Sequence, residues 1–157
     1  MKETYIQALI AHFDSVFAGP NGDYTAILEA VAGVPVAQAL WKPAPTQNSI
    51  WQIVEHLIAS KEWQIEMLER GKATPPVWIE PAGDEAAWQA SLARLKDAHH
   101  RLKLALEKVN EADLLSIPVP EWGSTLLELL LSSGSAHEAH HGGQIDYLKG
   151  LQAGKAD

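Results

Sequence analysis

The chain has 157 residues, no cysteine, and 12 Lys and Arg against 20 Asp and Glu, a formal charge of -8. Without cysteine there is no disulfide, thiolate ligand, iron–sulfur cluster or Cys nucleophile. Without a basic run there is no footprint for DNA phosphates or an anionic membrane surface, so neither nucleic acid nor membrane is expected as a partner. Hydrophobic residues at 46% and charged residues at 20% suit one globular domain over 1–157.

The pattern is helical throughout. Residues 3–18 carry the stripe Ile6, Leu9, Ile10, Phe13, Val16 and Phe17, stopped by Gly19-Pro20-Asn21-Gly22. The charges at Lys2, Glu3 and Asp14 argue against reading this stretch as a secretion signal, and a cytoplasmic protein is expected. Asp23 is placed to cap a short segment ending at Ala32, before Gly33 and Pro35. Residues 42–48 form a proline-containing loop. Ser49 and Gln52 then make a capping box for a helix ending before Gly71. Its inward stripe is Ile53, His56, Leu57, Ser60, Trp63 or Gln64, and Met67.

Residues 72–83, with Pro75, Pro76 and Pro81, predict an ordered surface crossover loop. Asp84 caps a third long helix with the stripe Trp88, Leu92, Leu95, His99, Leu102, Leu106 and Val109. Residues 110–123 connect it to the last helix. Thr125 and Glu128 form a second capping box, and Gly150 is expected to end the helix after Lys149. No strand alternation and no repeat is visible. The expected fold is an all-α four-helix bundle with crossover connections and an extra short helix, in which up-down-up-down order is not required.

Seven histidines in an acidic chain without cysteine are the compositional hint of chemistry. His137 and His141 are four apart on a helix, so their Cβ atoms lie about 5–6 Å from each other on one face. Leu130, Ser133, Gln144 and Leu148 continue that face, which is therefore inward. Taken alone, the pair reads equally well as two hydrogen-bonded core histidines. His56, inward on another helix, changes the balance. Facing helix axes lie about 8–10 Å apart, so a third imidazole can close a metal site with one open position. Gln144, one turn beyond His141, is a candidate hydrogen-bond partner for a ligating histidine or a substrate. Trp63 is a candidate pocket wall, or ordinary packing. His99 reads as a core or interhelical histidine, with a role beside the metal as the alternative. His12, His100 and His140 read as surface or rim residues.

The run His137-Glu138-Ala139-His140-His141 also satisfies H-E-x-x-H, but little chain follows it to supply a third zincin ligand, and no strand is predicted to hold a peptide. It contains one E-x-x-H of the di-iron bundles without a second copy.

NSIWQIVEHL at 48–57, followed by HEAHHGGQIDYLKG at 137–150, resembles the DinB/YfiT-like superfamily, and the resemblance covers nearly the whole chain. It implies a four-helix bundle holding a divalent metal on three histidines, at positions matching His56, His137 and His141. Members include S-transferases and isomerases that use low-molecular-weight thiols. Gly142 stands where the family often has Arg, so any help from that Arg toward an anionic substrate is missing here.

The expectation is therefore a divalent-metal protein holding Zn2+ or Ni2+ first, Fe2+ or Mn2+ next. It would be a metal-dependent enzyme of the thiol S-transferase type, with a small-molecule substrate and an incoming low-molecular-weight thiol. The alternatives are a hydrolase that activates water on the metal, or a non-catalytic stress-associated metal-binding bundle. A homodimer through an apolar helix face is expected.

Overall fold

The computed structural model describes residues 4–20 and 22–154, so Glu3 and Asn21 of the expected first helix and turn lie outside the described residues. The first helix, α1, spans Tyr5–Ala18 and opens on a Thr4–Gln7 capping box. Two five-residue helices follow, α2 (Ile27–Val31) and α3 (Val36–Leu40). Asp23 does not cap α2: its N-cap is Ala26, whose methyl side chain offers no hydrogen-bond acceptor. Helix α3 lacks any periodic signal because it is too short to show one, and a distant carboxylate, Glu85, receives its first backbone N–H.

The long helix α4 spans Ile50–Arg70, with the expected Ser49–Gln52 box and a left-handed Gly71 at its end. Helix α5 spans Glu85–Leu106 and is capped by Asp84. Two 3-10 turns, Glu111–Leu115 and Pro120–Trp122, carry the chain to the Thr125–Glu128 box. There the last rod begins as α6 (Leu126–Leu130), widens into a π-helical turn (Leu131–Ala136), and continues as α7 (His137–Ala153). The expected stop at Gly150 is passed, and the rod ends at Gly154.

The four long rods make a bundle in which α1 packs on α5 and on the C-terminal rod, and α4 packs on the same two neighbours. Side-chain pairs fix the directions. Trp51 meets Ser91, Lys61 meets His99 and Glu62 meets Arg101, so α4 and α5 run parallel. His56 meets His137, and Gln64 meets Ser133, so α4 and the last rod run antiparallel. A parallel pair needs a connection that returns the length of the bundle, and residues 72–83 supply it. Thr74 bonds Glu66, Trp78 stacks on His56, and Glu80 accepts from Gln52, so the loop descends along α4 in reverse order. The crossover expected from its length is thus real, and it is what brings Trp78 to the middle of the bundle.

The core has two apolar clusters. One gathers Phe17, Ile27, Ile53, Leu57, Trp88, Leu95, Ile145 and Leu148. The other gathers Leu9, Phe13, Ile65, Leu102, Leu106 and Leu130. Between them, on three of the four rods, inward residues are polar: Ser60, Lys61 and Gln64 on α4, His99 on α5, Glu138 and His141 on the last rod.

Two glycines of the last rod set its approach to its neighbours. A Cβ on Gly134 would overlap the Phe13 ring at Cζ, so the π turn lies directly on α1. A Cβ on Gly142 would fall 2.8 Å from the Thr25 carbonyl oxygen. That backbone contact explains why a helix-interior position tolerates glycine, and why an Arg has no place there. Gly142→Ala is expected to cost about 1–3 kcal/mol through forced displacement of the 22–27 segment, measured as a lower urea midpoint. An unchanged midpoint would show that the segment yields freely.

A candidate metal centre

Helix α4 delivers His56 and the first two turns of α7 deliver His137 and His141. His137 Nε2 lies 3.0 Å from His56 Nε2 and 2.9 Å from His141 Nε2. One ligand atom from each of the three residues falls within 4.8 Å of the other two, and among the described residues this is the group able to hold a metal ion. His56 is 9% exposed and His141 4%. The structure therefore brings together the three histidines singled out by sequence.

The donor set fits a divalent ion. Bonds of about 2.0–2.1 Å at tetrahedral angles separate neighbouring nitrogens by about 3.3 Å, close to the spacing found. Gln144 fixes one tautomer: its Oε1 accepts from His141 Nδ1 at 2.7 Å, which leaves the His141 Nε2 lone pair directed at the other rings. Three nitrogens meeting at one point cannot all be paired by the protons of neutral imidazoles. A cation at that point satisfies all three. The outer nitrogens of His56 and His137 are buried with no protein partner, so these two rings lack the orienting hydrogen bond that Gln144 gives His141.

Burial keeps these rings neutral and ready to bind. It pushes His56, His137 and His141 down to about 4, and the neighbouring imidazoles add to the effect. His99 is also pushed down to about 4, by burial and then by the Lys61 ammonium, against the pull of Asp14. An unfolded histidine takes up its proton near pH 6.5, while these folded ones resist until about 4. The unfolded state therefore binds more protons in that window, and stability is complete above about pH 6.5 and falls as pH drops toward 4. Metal-free protein should show a falling melting temperature between pH 7 and pH 4.5, and a flat profile would mean that these rings are already charged when folded.

Trp78 lies over the His56 ring, with centroids 4.0 Å apart and planes within 4° of parallel, and it remains 42% exposed. It covers one face of the site. Nothing in the sequence pointed to it, because its place follows from the path of the loop. His140, expected at the rim, is exposed and receives a hydrogen bond from Gln144 Nε2 at 2.9 Å. Gln144 thus joins a buried histidine to a surface one. His12 and His100 are exposed as expected. Trp63 is half-buried, stacks on Trp122, and lines a separate cavity under residues 74–79.

His99 does not join the trio. Its Nε2 donates to Asp14 at 2.8 Å, its Nδ1 meets Lys61 Nζ at 3.2 Å, and its ring stacks on Phe17. Lys61 in turn pairs with Glu138, the residue between the two α7 ligands, and both are 1% exposed. This ion pair forms the floor of the site. Sequence reading missed both partners, because a charge beside an apolar stripe ordinarily faces water and only the facing helix reveals the mate.

The fold is thus an all-α four-helix bundle with a three-histidine group in its middle layer. A family model described as the DinB superfamily matches residues 22–145, and the protein belongs to that superfamily. No curated protein and no solved structure matched the chain. Among the described residues, no helix is long and apolar enough to cross a membrane.

Proposed function

We propose that this DinB-superfamily protein is a metal-dependent enzyme of the thiol S-transferase type. His56, His137 and His141 hold the ion, Zn2+ or Ni2+ before Fe2+ or Mn2+, since imidazole donors alone discriminate weakly among these. The observation that supports the reading most directly is the convergence of three neutral Nε2 atoms at 2.9 and 3.0 Å inside a chain with no cysteine. A divalent ion at that point supplies charge that lowers the pKa of a thiol or water brought to its open position.

The protein's own groups arrange the rest. Gln144 holds the His141 tautomer, Trp78 excludes water from one face of His56, and the Lys61–Glu138 pair fixes the start of α7 from below. The thiol comes from solution, loses its proton, and its sulfur forms a bond to an electrophilic carbon while the leaving group departs with the bonding pair and the proton passes to solvent. The reading includes a homodimer in the cytoplasm, where low-molecular-weight thiols stay reduced, and no nucleic-acid partner.

S-conjugation of monobromobimane with a panel of thiols, using metal-loaded and metal-stripped protein, tests it. A metal-dependent rate absent from His137→Ala is expected. No metal-dependent rate with any thiol overturns the transferase reading. Metal-dependent cleavage of an activated ester without thiol would assign the site to a hydrolase instead.

A further inference from the structure

The crossover strap that carries Trp78 is fastened at two points and loose between them. At one, the Thr74 N–H donates to the Glu66 carboxylate at 3.3 Å. At the other, the Glu80 carboxylate accepts from Lys42 Nζ at 2.8 Å and from Gln52 Nε2 at 2.7 Å. Among the described residues, 75–79 make no hydrogen bond between these points, and Pro75 and Pro76 have no N–H to give.

The residues of the strap alternate in direction. Val77 and Ile79 line one wall of a cavity of about 410 Å3, and α4 forms the other wall at Ile58 and Trp63. Both aliphatic side chains leave this cavity unfilled and stay exposed. Trp78 turns the opposite way, stacked on His56 at 4.0 Å and edge-on to His141 at 6.2 Å. The middle of the strap is therefore held by one indole on the histidines, not by its backbone or its aliphatic residues. Toward the bundle the rings are closed off. The outer nitrogens of His56 and His137 are buried, that of His141 is taken by Gln144, and Lys61 and Glu138 lie below. Trp78 is the cover supplied by a loop, and its outer face meets solvent.

We propose that Trp78 is the gate of the three-histidine centre. The 75–79 strap swings on its fastenings at Thr74 and Glu80, lifts the indole from His56 to admit an ion or a substrate, and lays it back to exclude water. The proposal rests on the metal-site reading above. The closed state gains the aromatic stack, and the open state gains the freedom of an unfastened segment, so the two oppose each other closely. The cavity leaves empty space on the other side of the strap, so its movement breaks little packing. A gate and a fixed wall differ in kinetics. A gate limits entry and exit alike, so removing it speeds both by one factor and leaves affinity unchanged. A wall that only supports His56 acts on release, and so changes affinity.

Stopped-flow measurement of Co2+ uptake by the metal-free protein, and of Co2+ release to excess EDTA, separates the two. Trp78→Ala is expected to speed both by about tenfold, the factor that one lost aromatic contact gives an open–closed equilibrium, with Co2+ affinity and stoichiometry unchanged. Glu80→Ala, which frees one fastening and touches no histidine, should speed both by a smaller shared factor. Unchanged rates in either variant, or faster release without faster uptake, overturns the gate. If the unaltered protein takes up no Co2+, the metal reading fails and the gate is judged on the imidazoles themselves. Carbethoxylation of His56 by diethyl pyrocarbonate, followed by mass spectrometry against the exposed His100, should then be about tenfold faster in Trp78→Ala. Equal rates sink the proposal.

Discussion

Adding Zn2+ to the metal-free protein is expected to raise its melting temperature by roughly 8–16 °C, and His137→Ala is expected to show almost none of that rise. The size follows from mass action. Free metal at about a thousandfold above its dissociation constant adds about 4 kcal/mol to the folded state, and each kcal/mol is worth about 2–4 °C in a domain of this size. His137 is the decisive position because its Nε2 lies within 3.0 Å of both other imidazoles. Losing it should weaken metal binding by more than the 10–100-fold typical of an outer partner. His99→Gln serves as the control: its ring is held by Asp14 and Lys61, not by the trio, so it should keep the full rise. A rise that survives His137→Ala would place the ion elsewhere.

Breaking the buried ion pair is the second large effect. Lys61→Met leaves the Glu138 carboxylate in the core without its partner, and removing one member of such a pair costs about 3–5 kcal/mol. Melting should fall by roughly 10 °C. Glu138 Oε2 already has no protein partner, which sharpens the penalty. The double variant Lys61→Met, Glu138→Leu should recover much of the loss, because an apolar pair of similar volume avoids the desolvation cost altogether. The two single losses adding in full, with no recovery, would show that Lys61 and Glu138 are stabilised independently.

What could be seen in the residues and what could not divides along one physical line. The boxes Ser49–Gln52 and Thr125–Glu128 are contacts within one helix turn, so the letters carry them and the structure reproduces them. The three histidines were legible because spacing on α7 and the inward stripe of α4 each constrain direction. Lys61 with Glu138 and Trp78 with His56 are pairings between distant segments, and no periodicity encodes them. The start of α2 was misjudged at Asp23 because a capping residue is only an opportunity, and packing against α7 moved the start to Ile27. The end of α7 was misjudged at Gly150 because Lys149 and Gln152 are held by carbonyls of Ala30 and Gln38, which carry the helix past the glycine.

The widened turn at Leu131–Ala136 takes up one surplus residue in the rod that bears two of the histidines. An ordinary helix advances about 100° per residue, so a surplus residue held in regular helix would rotate everything downstream by that amount, whereas the wider turn absorbs it and leaves His137 and His141 facing His56. Deleting one residue there would let the turn tighten with the trio still in phase, while deleting one between the turn and His141 in regular helix would swing the ring away. Within this architecture the ability to gather an ion can be lost by a change in chain length of one, with every ligand still present in the sequence.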